Sequence, residues 1–559
     1  MTFQININNR NYTDWVVEPI FDMFSLQPLE HKLFSKDTFD LDHNKNIKLI
    51  YSPVRSGNPI AAVLILLGNK TFGRKNTKLL YKCIPNDPSL PIFLVPYEMK
   101  NVGFSKVFKN IYVSISFYEW TDKHPMAIIQ NIIGPINDLP SFYEYQLHCK
   151  QLNHSINKFQ KYVSKTLASK PQNAFIENIT QRYTSIQDRT GDNWHIFSID
   201  PANSLDFDDA FSIQENAQNI KIISIYISNV SIWADILNLW DSFSLRVSSI
   251  YLPDKKRPMM PAALSDGICS LQQNVTRIAL VMDIFIENDV TITKIEFSNA
   301  FIKVFKNYSY EEPGLLTNAN YNKLLYTTKQ ITHLYPSLNE IDKQCKDSHE
   351  LVSFLMILMN YHCACELANT GKGIYRTTAL STNSTVPKFK FSGNYSISPV
   401  NLNHDALGLN AYVHITSPIR RIVDLLNIIA FQHHVMKSIK LSENANAFYN
   451  KWAADLEYIN ISMRAIKKVQ SDCELLNICT NNPELLTNSL DGYLLEFIER
   501  NNNNLLCYRV YLPSLKLFSQ TYIPKEQIPN ININIIQKFK LYLFQDEERF
   551  KKKIRVTII

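Results

Sequence analysis

At 559 residues, with 45% hydrophobic, 12% aromatic and 19% charged side chains, the chain is too long for a single core and too apolar for a disordered or low-complexity protein; about three or four domains are expected. Its 58 basic and 51 acidic residues leave a formal charge of +7, which permits affinity for polyanions without demanding it. Nine scattered cysteines, with no secretory signal and no unbroken run of about twenty apolar residues, predict a reduced, intracellular and cytoplasmic protein without a membrane segment; a mitochondrial address stays open, although residues 1–45 carry acidic residues and few arginines.

Residues 1–45 lack a clear period and are read as an N-terminal arm or reduced domain of unassigned fold. Residues 46–138 carry short β-rich runs (Ile47–Tyr51, 61–67, 79–84, 92–95 and 111–117) separated by Gly68-Asn69, Pro85-Asn86-Asp87 and Gly103. That spacing predicts an OB-type, cold-shock-like barrel. Lys70, Arg74, Lys75, Lys78 and Lys82, with Phe72 and Tyr81 interleaved, suit a single-strand binding face as well as a solvated one. A helical connector is expected over 139–190, and residues 191–482 read as strands followed by helices. Strands dominate 195–305, apolar stripes mark helices at 349–369 and 418–438, and 442–480 reads as one uninterrupted helix, so a sheet with helices laid against it is predicted. His362, Cys363 and Cys365 look like a metal cluster, but helical positions two apart point to different sides, and a packing role is expected. Alternation returns at 492–498, 505–512, 520–523 and 538–544, predicting a second barrel over 483–559 that ends in a basic tail with Arg549, Lys551, Lys552, Lys553 and Arg555.

Four carboxylates, Asp200, Asp206, Asp208 and Asp209, fall within ten residues between strand-like runs at 194–199 and 210–213. A like-charged pair at about 4 Å costs roughly 1 kcal/mol in water and more when desolvated, so a cation should offset them. Oxygen ligands suit Mg²⁺, or Mn²⁺ in its place, better than zinc, for which local His and Cys are absent. In an extended stretch Asp206 and Asp208 point one way and Asp209 the other, so the loop must turn, and Pro201 and Asn203 suit a turn. Such a cluster supports in-line displacement at phosphorus with two ions. An acidic surface loop or a Ca²⁺ site fits the same spacing.

The run Phe197-Ser-Ile-Asp-Pro-Ala-Asn-Ser-Leu-Asp-Phe-Asp-Asp-Ala210 resembles the metal-binding motif of the ribonuclease II family, which includes bacterial ribonuclease R and the exosome-associated exonucleases. Arg246, Tyr251-Leu-Pro-Asp, Pro258-Met-Met-Pro-Ala-Ala-Leu-Ser265, Cys269-Ser-Leu271 and Arg277 follow in the family's order, and Tyr412-Val-His-Ile-Thr-Ser-Pro-Ile-Arg-Arg-Ile-Val-Asp-Leu-Leu426 is similar to its second hallmark. The resemblance covers roughly 180–480 and reaches more weakly into the flanks, through Trp120, His124-Pro125 and Gly134. It implies an α+β fold, with a central RNB-type catalytic domain (a mixed sheet with helices around an RNA channel) flanked by small OB-fold β-barrels. It also implies a Mg²⁺-dependent hydrolytic 3′→5′ exoribonuclease that takes single-stranded RNA to nucleoside 5′-monophosphates by two-metal hydrolysis. Asp200, Asp206 and Asp209 would hold the metal, and Asp208 would complete the cluster and position the attacking water. Arg420 would reach the scissile phosphate, with Arg421 as a further RNA contact. Pro418 fits the first turn of the following helix. Tyr251 and Tyr310 match the aromatics on which terminal bases stack. Single-stranded RNA is the expected partner, and no protein partner is indicated.

Departures from the family pattern imply a minimal, divergent member. Ser353 and Phe354 stand where a glutamate pair normally precedes Met356, and Ile422 replaces an aromatic. Asn427-Ile428-Ile429 replaces a region that usually has a His-Arg, and the stretches after Tyr310 and Arg376 are shortened. One N-terminal barrel is evident where two are common. A catalytically inactive RNA-binding relative and a single-strand DNA nuclease are the rival readings; retention of four crowded aspartates and Arg420 weighs against the first.

Overall fold

The structure, a computed structural model, describes the chain except for residues 1, 20–25, 43–45, 99–107, 289, 337–344, 379–392, 398–401, 499–504, 525, 527–534 and 547–549. Gly103 and Arg549 therefore lie outside the described residues. Two compact units are present: residues 1–153, 252–255 and 467–559 form one, and residues 154–251 and 256–466 the other.

In the first unit, β1 (Phe3–Ile7), β2 (Trp15–Glu18), β3 (Thr38–Leu41) and β4 (Ile47–Tyr51) form a sheet in the order β2-β1-β3-β4. The N-terminal residues thus form a sheet of their own that shares one core with the barrel, Phe3, Phe34 and Phe39 clustering with Phe93 and Ile115, and Ile47–Tyr51, expected to open the barrel, pairs with β3 instead. The inward alternation of Phe3, Ile5 and Ile7, all buried, spans too few residues to stand out as a period. The barrel follows: β5 (Ile60–Leu64), β6 (Arg74–Lys75), β7 (Lys78–Pro85), β8 (Phe93–Tyr97), β9 (Ile111–Glu119) and β10 (Met126–Pro135). Its strands run β5-β9-β10-β8-β7, β7 pairs back onto β5, and β8 and β10 are parallel. This closed five-stranded Greek key is the OB order the spacing predicted. On its basic hairpin Tyr81 is buried and donates its hydroxyl to Asn69 Oδ1 at 2.9 Å, so only Phe72 of the two interleaved aromatics is exposed. Helix α1 (Leu139–Cys149) lays Tyr145 on Tyr112 of β9, ring centroids 4.1 Å apart.

The second unit begins with α2 (Asn157–Ala168) and α3 (Gln172–Arg182), and the last residues of the expected helical connector form strand β11 (Gln187–Arg189) instead. Then come β12 (Ile196–Asp200), β13 (Asp209–Glu215), β14 (Lys221–Ser228), α4 (Val230–Ile236), β15 (Ile250–Tyr251), β16 (Lys256–Arg257), β17 (Thr276–Glu287) and β18 (Thr291–Ser309). The sheet runs β11-β18-β12-β13-β14-β17 and closes because β17 also pairs with β18; β18 is parallel to β11 and β12. Its inner residues, among them Phe197, Ile199, Phe211, Ile225 and Met282, are covered by α5 (Pro313–Leu316), α6 (Ala319–Ile331) and α7 (Ser348–Thr370). By length and hydropathy α7 could cross a membrane, yet Leu351, Phe354, Leu355, Leu358 and Met359 are buried in this core. His362 meets the Tyr335 hydroxyl at 2.8 Å and Cys363 is fully buried, the packing roles expected of them. The short pair β19 (Tyr375–Thr377) and β20 (Asn394–Ser396) precedes α8 (Ile422–Phe431).

The helix expected over 442–480 breaks at Asp455 into α9 (Glu443–Ala454) and α10 (Leu456–Asn481), because Asp455 leaves the helical region at φ −106°, ψ 37° with its amide turned to Trp452 O. From Lys467 onward α10 belongs to the first unit. There, β21 (Ser489–Ile498), β22 (Leu505–Leu512), β23 (Leu517–Pro524), β24 (Ile536–Asp546) and β25 (Lys551–Ile558) run β23-β22-β21-β24-β25. This is an OB order opened between β23 and β25, where Lys553 lies over the Tyr522 ring at 5.9 Å. The expected basic tail is therefore a barrel strand. None of the nine cysteines, all of them among the described residues, is in a disulfide.

Candidate active site

The four aspartates lie where β12 ends and β13 begins. Asp200 is the last residue of β12; the chain then turns, Ser204 donating its amide to Pro201 O at 3.1 Å and Asn203 taking φ 68°, before entering β13 at Asp209. The turn expected of Pro201 and Asn203 is present. Phe207 N donates to Ser270 Oγ at 3.0 Å, Ser270 Oγ to Leu205 O at 2.7 Å, and Leu271 N to Phe207 O at 3.0 Å. Cys269-Ser-Leu271 is thus the clamp on the acidic loop, and Arg277 fixes the clamp through Nε to Ser270 O at 2.8 Å.

The second hallmark approaches on another turn. Arg420 N and Arg421 N both donate to Ser417 O, at 3.2 and 3.0 Å. Pro418 therefore sits in a turn ahead of α8, which starts at Ile422, rather than in the helix itself. Ser249 N donates to Arg420 O and Ile422 N to Val247 O, each at 2.9 Å, so the strand-like stretch before Tyr251 straps Arg420 in place.

At the meeting point Asp208, 3% exposed, accepts from Ile419 N and from Arg420 Nε, both at 3.0 Å. Arg420 also donates to Ser417 Oγ at 3.1 Å, and nearly half its side chain, 47%, remains exposed. Asp206 is held by Lys256 Nζ at 2.9 Å and by the Tyr251 hydroxyl at 3.4 Å. Asp200 and Asp209 each have a buried Oδ2 with no hydrogen-bond donor. Burial raises the Asp200 carboxyl to about 6, against the opposing effects of Ser198 and Arg420. Burial also raises Asp208 to about 7 despite Arg420 and the Ile419 amide, and burial and the charges of Asp200 and Asp208 push Asp209 well above the usual range.

Two donorless buried oxygens on mutually repelling carboxylates fit a hard divalent cation. Among the described residues no three His, Cys, Asp or Glu side chains converge into a ready-made cage. Asp206 and Asp208 are turned instead to basic side chains. Tyr251 stands at the rim, 42% exposed. Tyr310 donates its amide to Asp200 O at 3.1 Å and stacks flat on His349, centroids 3.8 Å apart. Arg421 turns to Asp424, Nη2 to Oδ1 at 2.7 Å. Sequence reasoning missed Lys256, His349 and Asp424. Lys256 falls in the gap between two recognised segments, residues 251–254 and 258–265, and nothing in its Lys-Lys-Arg run singles it out.

Comparison with known proteins matches the RNB domain to residues 189–343 and 380–437. Ribonuclease R of Chlamydia muridarum is 22% identical over 304 residues, covering 41% of this chain and 44% of that protein. The chain thus spans less than half the length of the curated relatives it matches. Among solved structures, Mycoplasma genitalium RNase R in complex with ribose-methylated single-stranded RNA superposes with a TM-score of 0.67 at 14% identity, covering 100% of both chains. Yeast Ssd1, a pseudonuclease, superposes with a TM-score of 0.56 at 13% identity, over 93% of this chain and 78% of that one. The chain therefore carries an RNB domain, and it is distantly similar to ribonuclease R in sequence and in fold.

Proposed function

We propose that this protein is a divalent-metal-dependent hydrolytic exoribonuclease that shortens single-stranded RNA from its 3′ end, releasing nucleoside 5′-monophosphates. One observation carries the reading: the donorless oxygens of Asp200 and Asp209 lie in the same carboxylate cluster as the guanidinium of Arg420, a partly exposed side chain that Asp208 and Ser417 hold in one orientation. Asp200 and Asp209 would hold Mg²⁺ or Mn²⁺, which when bound supplies charge neutralisation and Lewis acidity at a phosphoryl oxygen. Arg420 offers its remaining N–H groups to charge growing on the phosphate. Tyr251, whose hydroxyl is tied to Asp206, presents a ring face for a terminal base. The single-stranded RNA bound by the M. genitalium relative favours RNA over DNA as substrate.

The test is a 5′-labelled single-stranded RNA incubated with the purified protein and Mg²⁺ or Mn²⁺, beside a DNA of the same sequence. Stepwise shortening of the RNA is expected, with none by Asp209→Asn. RNA bound but left whole under every metal would overturn the reading in favour of a non-catalytic RNA-binding relative.

A further inference from the structure

Lys256 is one half of a two-residue ladder: β16 folds back on β15 so that Lys256 stands directly opposite Tyr251. Side chains opposite each other across a ladder share a face, and both of these end on Asp206, the ammonium 2.9 Å from Oδ1 and the hydroxyl 3.4 Å from Oδ2. The same ammonium also meets Asp266 Oδ1 at 3.2 Å, and three-quarters of the Lys256 side chain is covered. Asp266 is fixed in turn by Ser265 Oγ at 2.7 Å. A positive charge held by two carboxylates at such distances supplies locally the charge compensation, but not the Lewis acidity, of a bound cation. The cluster therefore divides. Asp206 and Asp208 each have a cation from the chain itself, Lys256 and Arg420, whereas Asp200 and Asp209 each keep a buried oxygen that nothing satisfies.

We infer that Lys256 is a built-in cation of this site, standing in the place of one divalent ion beside Asp206, so that the protein takes a single divalent ion, on Asp200 and Asp209. The inference rests on the hydrolytic reading above for its catalytic meaning but not for its measurement. Under that reading Lys256 is a positioning residue: it holds Asp206 and Tyr251 in register and contributes fixed positive charge near the transferring phosphate.

The experiment counts ions on the whole, metal-stripped protein without RNA, by titrating Mn²⁺ and following the electron paramagnetic resonance signal of the free ion. The wild type is expected to bind one tight ion, Asp209→Asn none, and Lys256→Met a second. Asp206→Asn should keep the single ion with affinity changed less than about threefold, whereas losing a direct metal ligand would weaken it by about tenfold or more. Two tight ions on the wild type, one on Lys256→Met, or a tenfold loss in Asp206→Asn would each overturn the inference. Should Lys256→Met not fold, Asp206→Asn alone decides. A protein that binds one ion in this pattern yet leaves RNA whole would overturn the hydrolytic reading and keep the assignment of Lys256.

Discussion

The pairing of Asp208 with Arg420 sets how the residues of the site depend on one another. Asp208 is 3% exposed and its two bonds, from Ile419 N and Arg420 Nε, are each 3.0 Å. Removing the arginine leaves a buried carboxylate without its cation, which costs more than never having had the pair. At pH 8, above the value of about 7 to which burial raises Asp208, Arg420→Ala should lower stability by about 2 kcal/mol, less than for a fully buried pair because the arginine side chain is 47% exposed, and should slow cleavage by roughly 10²–10³-fold. Asp208→Asn in the same chain should restore most of that stability and none of the rate. Urea titration and single-turnover cleavage of the two single variants and the double variant check this. Arg420→Lys should not rescue, because an ammonium cannot hold Asp208 and Ser417 in the fork geometry of the guanidinium. The four aspartates were legible in the sequence as a crowded carboxylate cluster, whereas Arg420 was legible only through the resemblance of residues 412–426 to the second hallmark of the ribonuclease II family. Their partners were not. Lys256 reads as one basic residue among three until the β15–β16 ladder turns it onto Asp206, and Tyr81 reads as a stacking platform until the barrel closes over it.

At the scale of elements, α8 shows how a departure from a family pattern can be structural. Asn427 is fully buried; its Oδ1 accepts from Ile374 N at 2.8 Å, and its Nδ2 donates to Ile374 O and His414 O at 2.9 Å each. One amide thus ties α8 to two backbone segments, one just before β19 and one in the second hallmark. Asn427→Leu, of similar volume, would strand three backbone groups and should cost about 2–4 kcal/mol, read as a lower denaturation midpoint with unchanged slope; Asn427→Gln should not recover it. Phe354 gives the same lesson on α7. Where a glutamate was expected, a ring 3% exposed packs against Tyr335, so that position serves the core. The barrels were legible because turn residues recur at strand spacing, and α7 because its apolar stripe is long. The break at Asp455 and the four-stranded N-terminal sheet were not, since one is a single residue's backbone torsion and the other is built of strands four or five residues long.

For the molecule as a whole, the site makes stability depend on pH in an unusual direction. Asp200 titrates near about 6 and Asp208 near about 7, both raised first by burial, and Asp209 is raised further by its two acidic neighbours. In the unfolded chain such groups ionise near the ordinary value of 3.8. The folded metal-free protein therefore holds protons that the unfolded chain has released. Their contribution is fully present below pH 3.8 and is lost as pH rises through about 6 and 7, the reverse of a salt-bridged carboxylate. In chelator, Tm should fall by roughly 5 °C or more between about pH 5 and 8, and Asp209→Asn should flatten the slope and raise Tm at the alkaline end. A divalent ion binds the deprotonated carboxylates, so the rise in Tm on adding millimolar Mn²⁺ should be small near pH 5 and grow toward pH 8. Differential scanning calorimetry on both proteins, with and without Mn²⁺, measures all four slopes. A metal-free Tm that climbs across this range, or a Mn²⁺ gain independent of pH, would mean that the unsatisfied oxygens of Asp200 and Asp209 are not where the molecule stores its unfavourable charge.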